Sequence, residues 1–224
     1  MSIVKVLYED NHLIAVFKPS GVLSQGDKTG DLSMYDMVKK YIKEKYKKPG
    51  NVFLGLVHRL DRPVSGIILF AKTSKGAKRL SEQFRNHEVE KTYHAIVIGT
   101  PKENRGVLIN NLIKDDKLKK GREKANGKIA KLYYEVIKSN KTYSLLKIKI
   151  EGGQFHQIRS QLSLAGFPIL GDVKYGAKNH LPDIGVALCA TGLSFYSATE
   201  DKKIDLSVQI PEEWNSKLST PLFP

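Results

Sequence analysis

The stretch that most restricts what this chain can fold into is Leu56-Val57-His58-Arg59-Leu60-Asp61-Arg62-Pro63-Val64-Ser65-Gly66-Ile67-Ile68-Leu69-Phe70-Ala71-Lys72. Ile67 to Ala71 is a continuous apolar run of strand length, the pattern of a strand covered on both faces. Immediately before it, His58, Arg59, Asp61 and Arg62 fall within five positions, and Pro63 with Ser65-Gly66 marks a turn. A short charged stretch is ordinarily a solvated surface turn. Here core sequence encloses the charges, so Asp61 is expected to be at least partly desolvated. A desolvated carboxylate requires a cationic or hydrogen-bonding partner.

The 224 residues have ordinary apolar content, which supports a sizeable core. No repeat, low-complexity linker or composition boundary interrupts them, so one domain over residues 1–224 is expected. The single cysteine, Cys189, lies in the apolar run Val186 to Ala190. That excludes an internal disulfide framework and reads as a small core residue in a reducing compartment. With no secretory leader and no apolar run of membrane-spanning length, a soluble, cytoplasmic monomer away from membranes is expected. The net charge of +14 favours a polyanionic partner, nucleic acid above all. The six histidines are scattered, with no HExxH, no CxxC and no G-x-S-x-G elbow. No metal site and no cofactor are expected, which leaves carboxylate, Arg, Tyr and His for chemistry.

Along the chain, Ile3 to Tyr8 and Leu13 to Lys18 predict a hairpin around Glu9-Asp10-Asn11-His12, followed by a break at Lys18-Pro19-Ser20-Gly21. Met34, Met37, Val38, Tyr41 and Ile42 have helical spacing, with Ser33 as N-cap, Asp36 completing a capping box and Leu32 stapling against Met37. A second helix is predicted from an N-cap at Ser74, with Ala77, Leu80, Ser81 and Phe84 inside. Strands are predicted at Glu90 to Gly99, Ile129 to Ile137 and Tyr143 to Ile150, with Asp115 to Lys131 an extended hairpin or mobile loop. A third helix over Phe155 to Ala165 would bury Phe155, Ile158, Leu162 and Ala165 and turn His156, Arg159, Ser160 and Ser163 to another face. Short strands at Val186 to Ala190, Leu193 to Ser197 and Ile204 to Gln209 complete an α+β pattern.

Three further segments compete with plain structural readings. Lys18-Pro19-Ser20-Gly21-Val22-Leu23 reads most simply as a hairpin exit. Tyr93 shares a strand face with Ala95 and Val97; it is a core residue unless one end of its strand is wet, where a ring stacks on a base. Gly152-Gly153-Gln154-Phe155-His156-Gln157-Ile158-Arg159, followed by Phe167-Pro168-Ile169-Leu170-Gly171-Asp172-Val173-Lys174-Tyr175-Gly176, is punctuated by glycines in a way that suggests close backbone approach.

These segments, with His58-Arg59-Leu60-Asp61 and Ser65-Gly66, resemble the RluA family of RNA pseudouridine synthases in order and at compatible spacing over nearly the whole chain. The resemblance implies a mixed, mainly antiparallel β-sheet with flanking helices and a central catalytic cleft. It implies an isomerase that flips uridines of rRNA or tRNA and rearranges their glycosidic bond without a cofactor. By position, Asp61 would be the essential catalytic group, Tyr93 would pack against the target base, and Arg159 would pair with the aspartate. Arg59 would displace the target nucleotide, with His58, Arg62, Lys18, Gln154 and His156 as further RNA contacts. The sequence departs from the family at Val64, commonly Thr, at Gly153-Gln154-Phe155, commonly Gly-Arg-Thr or Gly-Arg-Ser, and at Gln161, often His. The expected N-terminus is the first catalytic strand, without the small S4-like domain many relatives carry in front. Two other classes fit the same residues: a non-catalytic RNA-binding or ribosome-assembly factor, and a nucleosidase-like hydrolase using Asp61 and water.

Overall fold

A computed structural model describes residues 4–181 and 185–218. Two compact units emerge, one formed by residues up to 90 together with 192–208, the other by 91–191 together with residues from 209 onward. Ile3, expected to open the first strand, lies outside the described residues.

In the first unit, β1 (Val6–Glu9) and β2 (Leu13–Lys18) form the expected hairpin, and β2 continues antiparallel onto β4 (Ser65–Ala71). The Asp10 carboxylate shapes the turn by accepting the N–H groups of His12 and Leu13 at 2.7 and 2.6 Å. All seven residues of β4 are buried. Ile67, Leu69 and Ala71 share a cluster with Leu13, Ala15, Leu80, Leu193, Phe195 and Ile204, while Ile68 and Phe70 pack with Ile14, Val16, Met34, Val38 and Ile42. One face of β2 and β4 thus meets α2 (Ser74–Arg85) and the other meets α1 (Met34–Lys45), which is why the apolar run is unbroken. Each such Leu or Ile contributes roughly 1.5–3 kcal/mol by leaving water. A two-residue strand, β3 (Gly55–Leu56), pairs with the far end of β4 and carries no sequence signal of its own.

Ser33 caps α1 with the full capping box to Asp36, as its sequence predicts. Thr73, not Ser74, caps α2: its hydroxyl accepts the Gly76 N–H at 3.1 Å and pairs with His12 Nδ1 at 2.8 Å. Gly76 has no room for a side chain, because a Cβ there would sit 2.7 Å from the His12 carbonyl oxygen. The inner face of α2 also differs, with Ser81 exposed and Gln83 buried. The Gln83 amide clamps Tyr196 through both its N–H and its C=O, at 2.8 and 2.9 Å.

The second unit is an antiparallel sheet in the order β5-β9-β8-β6-β7, built from β5 (Glu90–Ile98), β6 (Arg105–Asp115), β7 (Lys120–Glu123), β8 (Lys128–Ser139) and β9 (Tyr143–Glu151). β6 was not predicted, since its alternating, half-exposed residues lack a clear apolar face. The Lys-rich stretch after it is the hairpin of the two expected alternatives. β10 (Leu188–Tyr196) is one strand where two were predicted, and it pairs with β11 (Lys203–Ser207).

α3 (Gln157–Leu164) is shorter than predicted and lacks a solvated side over its first turns: Gln157 through Leu162 are all buried. Its polar side chains are consumed by sheet backbone. Gln157 donates to the Lys131 carbonyl at 3.0 Å, and Gln161 donates to the Leu108 and Ala130 carbonyls at 3.0 Å. Trp214, in the short turn before α4 (Asn215–Leu218), is also buried. Among the described residues no helix is long and apolar enough to cross a membrane.

Candidate active site

The first unit holds Lys18, His58, Arg59, Asp61 and Arg62 on two loops that share hydrogen bonds. Asp61 opens a tight turn in which its carbonyl accepts the Val64 N–H at 3.0 Å. Leu60, just before it, exchanges two bonds with the buried Ser24: Leu60 N–H to Oγ at 3.0 Å, and Oγ–H to the Leu60 carbonyl at 2.6 Å. Just after it, the Arg62 carbonyl accepts the Gly21 N–H at 2.9 Å and Lys18 Nζ at 3.1 Å. Ser20 donates to the Pro63 carbonyl at 2.8 Å. The Lys-Pro turn is therefore the buttress of the Asp61 loop, which a hairpin exit would not be. The Asp61 side chain is half-buried, in agreement with its enclosure by core sequence.

Lys18 is fully buried, and its ammonium donates to the carbonyls of Pro19 (3.0 Å), Val22 (2.7 Å) and Arg62. Three backbone acceptors take up the donors of this lysine, so it belongs to the scaffold and not to the RNA-facing surface predicted for it. Arg59 is exposed. Arg62 is half-exposed and brackets the turn, donating to the Gly21 carbonyl at 3.0 Å and pairing with Asp31 at 2.7 Å. His58 accepts the Leu69 N–H at Nε2 (2.9 Å) and stacks on Phe84, with centroids 5.0 Å apart and planes 25° apart.

The second unit holds Tyr93, Gln154, His156 and Arg159. Tyr93 is 9% exposed, on the β5 face that also buries Ala95 and Val97. Arg159 is 5% exposed, because α3 is buried around its first turns. Its guanidinium grips Asp172 through two parallel bonds, Nε to Oδ2 at 2.7 Å and Nη2 to Oδ1 at 2.8 Å, and lies 5.0 Å from the centre of the Tyr175 ring. The Tyr175 hydroxyl accepts the Gly121 N–H at 2.6 Å and pairs with His156 Nδ1 at 2.9 Å. This fastens the basic β6–β7 hairpin to the start of α3. Gly121 is required there by space, since a Cβ would sit 2.5 Å from the Phe155 carbonyl oxygen.

His156 caps α3 in the left-handed conformation with φ 54°, stacked on Phe155 at 3.9 Å. Gln154 donates its N–H to Gln157 Oε1 and accepts the Gln157 N–H, both at 3.0 Å. Beside this turn Lys91 donates to the Gly152 carbonyl, and burial lowers the pKa of its ammonium. Asp172, Tyr175 and Ser24 received no role from the sequence. The signal for Asp172 was present in the glycine that precedes it, Gly171, whose φ of 83° turns the chain back toward α3.

Residues 12–164 match the family model described as RNA pseudouridylate synthase. The chain belongs to the RNA pseudouridine synthase family. It is an isomerase of the RluA type, as the His58-Arg59-Leu60-Asp61 motif implied. It is 34% identical over 223 residues, 96% of its length and 70% of the relative's, to "Ribosomal large subunit pseudouridine synthase C" of Rickettsia typhi. A protein of the same name from Buchnera aphidicola subsp. Acyrthosiphon pisum is 30% identical over 226 residues, again 96% and 70% of the two chains. Among solved structures, "Human RNA Pseudouridylate Synthase Domain Containing 4" superposes with a TM-score of 0.79 at 24% identity, covering 96% of this chain and 91% of that one. That likeness shows the shared pseudouridine-synthase fold, an α+β arrangement of mainly antiparallel sheet with flanking helices.

Proposed function

We propose that this enzyme converts uridines of large-subunit ribosomal RNA to pseudouridine, with Asp61 as its catalytic carboxylate. The relatives' names support the RNA class, and the matched stretch 12–164 contains Asp61, Tyr93 and Arg159. The observation that carries the reading is the anchoring of the Asp61 loop: backbone bonds at Leu60, Arg62 and Pro63 leave the carboxylate half-buried on a rigid turn. A group that must meet a flipped nucleotide in one orientation needs such pre-organisation.

The isomerisation breaks the N1–C1′ bond, turns the uracil, and closes a C5–C1′ bond. The C5 proton departs and N1 takes one up, so atoms balance with no cofactor. An ionised carboxylate at the junction of sugar and base serves this sequence as nucleophile or base. In this reading the Tyr93 ring is the packing surface for the pyrimidine, and its hydroxyl has the chemistry to take part in transfer of the C5 proton. Arg159, held flat by Asp172 and Tyr175, supplies an oriented cation. Arg59 and Arg62, with the lysines that give the chain its +14 charge, draw in the phosphate backbone.

Asp61→Asn keeps shape and removes the charge. It is expected to abolish tritium release from uridine-5-labelled 23S-type rRNA while RNA affinity and melting temperature stay near wild type. Wild-type release by this variant would overturn the assignment of Asp61. Pseudouridine maps of rRNA and tRNA from cells with and without the gene identify the target; loss confined to tRNA would overturn the ribosomal assignment.

A further inference from the structure

We propose that His58 is a positioning residue, whose ring replaces a sheet hydrogen bond at the point where β3 leaves β4 and so sets where the Asp61 loop begins. The inference rests on the proposed role of Asp61. β3 and β4 are antiparallel with Gly55 opposite Ala71 and Leu56 opposite Phe70. Continuing that register would set Val57 opposite Leu69, but the strand ends at Leu56.

Leu69 is fully buried, so its N–H has no access to water, and leaving it unpaired would cost the full desolvation of a buried donor. His58 Nε2 accepts that N–H at 2.9 Å. A ring nitrogen that accepts carries no proton, which places the imidazole proton on Nδ1. The flat stack on Phe84 of α2 prevents the ring from swinging out of line with the Leu69 N–H. The chain is thus released from the sheet at a defined residue and in a defined direction, three positions before Asp61. Its far side is held by the Leu60–Ser24 exchange and by the Arg62 carbonyl. Both ends of the segment bearing the carboxylate are pinned, and His58 is the upstream pin. With Nε2 occupied and one face covered, the ring serves the protein's own backbone in place of the RNA contact expected of it.

The test compares His58→Phe, which keeps the ring and the stack but removes the acceptor, with His58→Gln, whose Oε1 offers an acceptor at similar reach. A misplaced carboxylate loses turnover before binding, so H58F is expected to lower kcat about 10- to 100-fold with KM changed less than about twofold. H58Q is expected to recover most of that loss, and the Leu69 amide should exchange faster with solvent in H58F than in H58Q or wild type. Wild-type kcat in H58F overturns the proposal, and so does equal impairment of the two variants. A fall in RNA affinity that accounts for the whole loss also overturns it, because His58 would then be a substrate contact. Should the wild-type chain form no pseudouridine, the functional reading fails, while Leu69 exchange still decides the pin: unchanged exchange in H58F overturns it.

Discussion

Replacing Asp172 tests whether Arg159 is held in place by an internal partner. Their side chains are 6% and 1% exposed, and two bonds of 2.7 and 2.8 Å join them. Asp172→Asn removes the negative charge and turns an amide N–H₂ toward a guanidinium that has no acceptor. Breaking a buried pair from one side strands the remaining charge, at a cost of about 3–5 kcal/mol. The Tyr175 ring, 5.0 Å from the guanidinium carbon, remains and offsets part of this, so roughly 3 kcal/mol is expected. For a chain of this size that lowers the melting temperature by about 6–12 °C, read by calorimetry or circular dichroism. Turnover in the tritium-release assay should fall about 100-fold, because a shift of about 1 Å in the guanidinium is enough to do so. The companion double variant Arg159→Met with Asp172→Leu replaces the pair by apolar groups of similar size and should regain most of the stability. Its activity should not return. A D172N protein melting within about 1 °C of wild type with unchanged turnover would refute the reasoning.

Two further outcomes follow from networks away from Asp61. Burial alone would raise the pKa of Glu9, but hydrogen bonds from Lys45, Lys72 and Tyr46 at 2.6, 2.6 and 2.7 Å outweigh it and lower the pKa to about 2. The folded value lies below the unfolded one, so the stabilisation is present above pH ~4.5 and lost as pH falls toward 2. Urea midpoints of wild type and Glu9→Gln should converge across that window; parallel curves would show that Glu9 does not titrate there. Gly121→Ala places a Cβ against the Phe155 carbonyl and should undock the β6–β7 hairpin from α3 at a cost of about 1–3 kcal/mol. Hydrogen exchange over 105–123 reads the undocking, and unchanged protection there would mean that Gly121 is not needed for the contact.

Much of the first unit was legible because its signals are local. An apolar run bounded by Ser-Gly and Lys announces a strand, and Ser33 with Asp36 announces a helix start. The cap of α2 was misplaced by one residue, since the choice of Thr73 over Ser74 depends on His12, sixty-one positions away. In the second unit β6 and the extent of α3 were misread for a related reason. Arg159 and Ser160 lie off the apolar stripe, and nothing local in the sequence shows that the carbonyls of Leu108, Gly121, Ala130 and Lys131 and the carboxylate of Asp172 bind Gln157, Arg159, Ser160 and Gln161.

The order of residues alone determined which chemistry this chain carries. A carboxylate set between arginines, ahead of a strand that must be buried, survives any rearrangement of the loops around it. Which groups hold that chemistry in place was decided only by tertiary structure. Lys18 became a buried brace, His58 a backbone acceptor and Asp172 the partner of Arg159, because a buried polar group left unpaired is costly and takes the partner that the fold brings within about 3 Å.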